Sequence, residues 1–140
     1  MRIQALFAIP LVAILGFLSL LHAYWALGGR WGSAYTVPVV RGQRAFNPSA
    51  SATWVVCGLL AIAVVLVIGR AVSTGPLTRV FSAGVWGLSL VFMLRAIGNW
   101  STFGLFKTVT GTLFSQWDTW LYSPLCLLLS LLAALLVLVH

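Results

Sequence analysis

The sequence predicts an all-α integral membrane protein: a four-helix bundle with two long aromatic-rich loops on one face. Three observations predict it. Of 140 residues, 61% are hydrophobic and only 6% charged, against about 25% charged in a soluble domain, so the polar supply is too small to cover a water-facing surface. Four apolar runs approach the roughly 20 residues that cross about 30 Å of hydrocarbon as a helix. None of the runs shows the period-two alternation of a membrane β-barrel, and a helix satisfies its own backbone hydrogen bonds in lipid.

The first helix is expected over 5–27, with Pro10 kinking it. It follows Arg2, as a secretory signal would. Its uncharged apolar part (5–21) exceeds the usual 7–15 residues of such a signal and no A-x-A site follows, so it is read as a retained span. The second is expected over 48–69, with Asn47 as N-cap and Pro48 as first residue, where the missing N–H costs nothing. The third is expected over 76–98, started by Gly75–Pro76 and ended by Gly98. Ser123–Pro124 carries the same start signal, but 124–139 is short for a crossing. The fourth helix is therefore placed at 120–139, completing one transmembrane domain over 1–140.

Four crossings put both termini and the 70–79 loop at one end, and the 28–47 and 99–123 loops at the other. The terminal end carries Arg2, Arg70 and Arg79, and the long-loop end carries Arg30, Arg41, Arg44 and Lys107 as loop charges. The first three all lie close to span ends, Arg41 and Arg44 nearly so, and positive charge close to spans favours the cytoplasm. The expectation is a multi-pass protein of the inner (plasma) membrane with cytoplasmic termini. Trp25, Trp31, Trp54, Trp100, Trp117 and Trp120, with Tyr24, Tyr35 and Tyr122, all fall toward the long-loop end; only Trp86 lies well inside a span. Interfacial aromatics normally occur at both membrane edges. Either the loops lie flat on the interface with aromatic anchors, or they fold over the helix ends and build a pocket.

The net charge of +7 would suggest nucleic acid in a soluble protein. Here the basic residues are spaced singly between apolar runs, so no nucleic-acid partner is expected. Cys57 and Cys126 stand in no metal or haem spacing and read as free, packed thiols. With His22, His140 and the lone acid Asp118, the ligand supply is poor, and neither metal nor cofactor is expected.

The polar residues inside the spans gather at the long-loop end: His22 near the end of the first helix, Arg95 near the end of the third, and Asp118 at the start of the fourth. Charges at membrane depth turn inward or find partners, and Arg95–Asp118 is the expected pair. It either ties the third loop to the bundle or forms part of a site. His22 and Trp25 share a helix face, and Asn99 adds a hydrogen-bonding group one turn beyond Arg95. The candidate ligand-binding set is His22, Tyr24, Trp25, Arg95, Asn99, Trp117, Asp118 and Tyr122. His22 and Asp118 are the candidate acid–base residues.

The run His22-Ala-Tyr24-Trp25-Ala-Leu-Gly28-Gly29, followed by Trp31-Gly32 and Pro38, resembles the opening signature of a bacterial family of small four-helix membrane proteins. That family is known only as a domain of unknown function. Arg95-Ala-Ile-Gly98, Gly104-Leu-Phe-Lys107 and Trp117-Asp118-Thr-Trp-Leu-Tyr122-Ser-Pro124 are similar to its second half. An acidic residue often follows its Arg-x-x-Gly run; Asn99 stands there in this chain. The resemblance implies architecture rather than activity.

Three functions stay open. One is binding of a lipid or other hydrophobic ligand under the long loops. Another is a structural or accessory role beside a second copy or a membrane partner. The third is a small membrane enzyme, an isomerase or lipid-modifying protein using His22 and Asp118. A lone His and a lone Asp are a thin catalytic supply, so binding leads.

Overall fold

A computed structural model describes residues 3–139; Arg2 and His140, counted above, lie outside them. Four helical runs are each long and apolar enough to cross a membrane. Helix α1 spans Ile3–Ala26, α2 Ala50–Val72 and α3 Leu77–Ile97. The fourth run, Leu113–Leu138, consists of α4 (Leu113–Trp117), a π-helical turn (Asp118–Tyr122) and α5 (Ser123–Leu138).

The fourth run starts well before residue 120, because Thr112 caps α4: its side chain accepts the Ser115 N–H at 3.0 Å. Ser123–Pro124 is not a helix start but the exit of the π turn. Proline has no N–H to give the carbonyl four residues back. The wider turn re-routes the ladder, and the Ser123 N–H reaches back to the Asp118 carbonyl. Two other start signals shift slightly. Ser49, not Asn47, caps α2, accepting the Ala52 N–H at 3.1 Å, and α3 begins after Pro76. Gly69 lies inside α2 rather than at its end, with the Phe81 ring against its bare Cα. Gly98 does end α3, at φ 87°.

The helices form a ring in which α1 packs mainly on α2, α2 on α3, α3 on α5, and α5 closes back onto α1. The core is thin: Leu11 and Leu15 of α1, Val67 of α2, Val85 of α3, and Leu129 and Leu136 of α5, with Ala8, Ala63 and Ala133 between them. The outer faces carry Leu6, Phe17, Leu20, Leu59, Ile62, Val65, Leu90 and Val91, all exposed. Helices apolar all round suit a lipid surround. Lipid gives no hydrophobic drive for helices to associate, so close packing and interhelical hydrogen bonds hold them. Ser19 Oγ donates to the Cys57 carbonyl (2.9 Å), joining α1 to α2. Ser89 and Ser130 each donate to the other's carbonyl (2.9 and 2.8 Å), clasping α3 to α5.

Both ends of the bundle agree with the expected topology. Arg70 Nη2 donates to the Val137 carbonyl (3.2 Å) and Gln4 Nε2 to the Val139 carbonyl (3.5 Å), so the α2–α3 turn meets the chain ends. The first long loop, at the opposite end, contains a short 3-10 turn (Ser33–Tyr35) and a two-stranded ribbon, β1 (Val39–Val40) with β2 (Gln43–Arg44). Arg41 and Gly42 close the ribbon with φ of 52° and 78°, the signs a tight hairpin needs.

Candidate functional site

The long-loop end is organised around one carboxylate. Asp118 is fully buried. Its Oδ1 accepts from Arg95 Nη2 at 2.9 Å. Its Oδ2 accepts from Lys107 Nζ at 3.1 Å and from the Gly104 backbone N–H at 2.8 Å. Lys107 also donates to the Gly104 carbonyl (3.2 Å) and the Thr119 hydroxyl (2.6 Å), so its three ammonium donors have three acceptors. The expected Arg95–Asp118 pair is thus present, joined by Lys107, which the sequence reading counted only as a loop charge.

Glycine lets the third loop reach this carboxylate. Gly98 and Gly104 have φ of 87° and 94°, and their backbones press together so closely that a Cβ on either would strike the other's main chain. Asn99 fixes the turn between them. Its Oδ1 accepts the N–H groups of Ser101, Thr102 and Phe103 (2.8–3.2 Å), and its Nδ2 donates to Thr102 Oγ1 (2.9 Å). A carboxylate could accept the same three bonds but could not make the fourth, which accounts for an amide here. Phe103, set by this turn, lies under the Arg95 guanidinium, 4.7 Å from its carbon to the ring centroid.

The first loop folds back in a similar way. The Trp31 peptide is held from both sides: its carbonyl accepts from Trp25 Nε1 (2.8 Å) and its N–H donates to the Tyr24 hydroxyl (3.2 Å). Tyr122 Oη donates to the Tyr35 carbonyl (3.1 Å), tying this loop to the fourth helical run. Tyr35 and Trp117 rings face each other with centroids 6.0 Å apart. The loops therefore fold over the helix ends.

Beneath them lies a cavity of about 900 Å³. Its wall along α1 runs from Ile14 to Trp25, about 16 Å at the α-helical rise, roughly half the hydrocarbon thickness. Leu121, Tyr122 and Leu125 form the opposite wall, and Arg30, Trp31 and Tyr35 the loop side. Phe17 and Leu121 line the cavity and are also exposed on the lipid-facing surface, so it opens toward the bilayer. Arg95 lines it too, with about a third (31%) of its side chain exposed.

Of the residues predicted from sequence, His22, Trp25, Arg95, Trp117 and Tyr122 share this cavity. Asp118 stands behind Arg95 rather than at the wall. Tyr24 and Asn99 are not among the lining residues; they shape the loops. Arg30, Tyr35 and Lys107 were missed, since nothing in a loop sequence says which way it folds. His22 and Asp118 form no hydrogen bond. His22 Nδ1 lies 2.7 Å from the Leu18 carbonyl, which only accepts, so Nδ1 is the donor in this bond. Its ring meets Trp25 edge-on at 5.1 Å. Cys57 and Cys126 are free thiols. Among the described residues no three His, Cys, Asp or Glu side chains gather as a metal site.

A family model described as "Protein of unknown function (DUF3995)" matches residues 15–133. The chain belongs to this family. The matched segment takes in the whole Asp118 cluster and every cavity-lining residue except Ile14. Comparison with curated proteins and with solved structures finds no match.

Proposed function

We propose that this multi-pass protein binds a lipid or another hydrophobic molecule in the cavity between α1 and the fourth helical run. The observation that carries the reading is the cavity itself. At about 900 Å³ it falls within the range of about 300–1,000 Å³ typical of small-molecule sites. Its walls are apolar at depth (Ile14, Phe17, Leu18, Leu21, Leu125) and polar at the rim (His22, Arg95, Tyr122). An amphiphile lying along it would keep the orientation it has in the adjoining leaflet and could enter from the side.

Binding fits the rim better than acid–base chemistry does. Both oxygens of Asp118 are engaged by Arg95, Lys107 and Gly104, leaving the carboxylate to hold its neighbours rather than exchange protons with His22. For location, our reading is a bacterial inner (plasma) membrane with the termini in the cytoplasm. Arg70 and Arg79 flank the short α2–α3 turn, as the positive-inside rule favours.

The test is mass spectrometry of the purified protein. Wild-type protein should carry a co-purifying amphiphile at about one per chain, as a single site requires. Leu121→Trp, which fills the cavity from its lipid-facing wall, should lose it. Equal retention by the filled variant would remove the proposal.

A further inference from the structure

We infer that the cavity selects amphiphiles whose head is an oxyanion, a carboxylate or phosphate monoester, over neutral ones with the same tail. This rests on the binding function proposed above and names its ligand class.

The first ground is charge. Two cations, Arg95 and Lys107, meet on one carboxylate, so the cluster at the cavity rim keeps a net positive charge. Asp118 is the only acidic residue in the chain, so no other side chain can neutralise it. Arg30 lines the same cavity and has no carboxylate partner among the described residues. Arg95, partly buried beside the apolar wall, is screened less than it would be in water, whereas Arg30 is exposed at the loop side.

The second ground is unmet hydrogen bonding. Lys107 is saturated, with three acceptors for three donors, and its side chain is only 4% exposed. Arg95 differs. Its Nη2 reaches Asp118, its Nη1 is buried without an acceptor among the described residues, and about a third of its side chain stays open to the cavity, where a ligand can meet it. A guanidinium with spare donors on the wall of a bilayer-facing cavity is suited to a carboxylate or phosphate oxygen. Phe103 beneath the guanidinium limits its movement.

The third ground is placement. The cationic rim lies at the loop end of the cavity, and the apolar wall extends about 10 Å below it along α1, from Leu21 to Ile14. Head and tail of one molecule thus find matching surroundings in a single orientation. Inorganic phosphate alone would use only the rim.

The experiment uses the full chain in neutral phosphatidylcholine nanodiscs. Trp25, Trp31 and Trp117 line the cavity, so quenching of tryptophan fluorescence reports occupancy. The probes are 9,10-dibromostearate, a dibrominated C18 alkyl phosphate and the matching dibrominated alcohol. The component of quenching that saturates and is reversed by unbrominated competitor is the signal. Both anions should bind at least about tenfold more tightly than the alcohol, a factor within reach of one charge-assisted hydrogen bond. Arg95→Gln and Arg30→Gln should each narrow that preference. Arg30 lies outside the Asp118 cluster, so its variant keeps the test valid should Arg95→Gln unfold. Inorganic phosphate at the same concentration should not displace the bromo acid. Equal binding of acid and alcohol overturns this inference and leaves the cavity function standing. A preference untouched by either arginine variant, or displacement by phosphate alone, overturns it also. No saturable quenching by any probe removes both.

Discussion

At the residue scale, Asp118 is the position on which the long-loop end depends. Removing one partner of a buried ion pair typically costs about 3–5 kcal/mol, because the other charge is left uncompensated. Asp118→Ala strands two cations and frees the Gly104 N–H, so a loss of that order is expected in denaturant titrations of the detergent-solubilised protein. Lys107→Met leaves the Arg95–Asp118 bond in place and should cost less, about 1–2 kcal/mol. Glycines separate conformation from contact. Gly28 has φ 97° with open space around it, so Gly28→Ala should cost only the left-handed penalty of about 1–2 kcal/mol. Gly98→Ala adds a clash with the Phe103 carbonyl and the Gly104 backbone. It should exceed Gly28→Ala clearly in the same titration; equal losses would contradict the close approach. The Arg95–Asp118 bond was legible in the sequence because the chain offers a single acid. Lys107 was not legible, since its route to Asp118 depends on a glycine turn whose direction no spacing reveals.

At the element scale, the π turn sets the rotation of the fourth helical run. Each helical residue turns the axis by about 100°, so the extra residue in this turn decides that α4 and Asp118 face Arg95 while α5 keeps Leu129 and Leu136 in the core. Deleting Trp120, which is 83% exposed and makes little packing, should restore a regular ladder and swing Asp118 away. The deletion should destabilise about as much as Asp118→Ala. Combining the two should add little, as expected of changes that remove the same interaction. Additive losses would refute this role for the turn. The serine clasp between α3 and α5 belongs to the same scale. Interhelical hydrogen bonds in membranes average about 0.6 kcal/mol and reach about 1.7, so Ser130→Ala, which breaks one bond and removes a buried partner of Ser89, should cost roughly 1 kcal/mol.

For the whole molecule, the pairing of ends makes a direct prediction. In a background where Cys57 and Cys126 are replaced by alanine, single cysteines at Gln43 and Thr110 should react with a membrane-impermeant maleimide from the same side. A cysteine at Thr74 should react only from the other. Labelling of Gln43 and Thr74 from one side would contradict the four-crossing arrangement. The one-sided aromatics also find their reason at this scale. Trp25, Tyr35, Trp117 and Tyr122 hold the folded loops and line the cavity, whereas the opposite end is a short turn with little to anchor. Trp86, the exception, lines a smaller cavity of about 510 Å³ beside Arg70 at that opposite end.

The sequence by itself determined the solvent, the number of crossings and the end at which His22, Arg95 and Asp118 collect, while Arg70, buried in α2, stands at the other. These depend on composition along the chain, and a run of apolar residues partitions into lipid whatever its neighbours do. Tertiary structure alone decided which side chains meet. Lys107 joining Asp118, Tyr122 reaching Tyr35, Asn99 turning to its own loop, and the space under the loops all depend on rotation about helix axes and on backbone turns. An error of one residue in either sends a side chain to a different face.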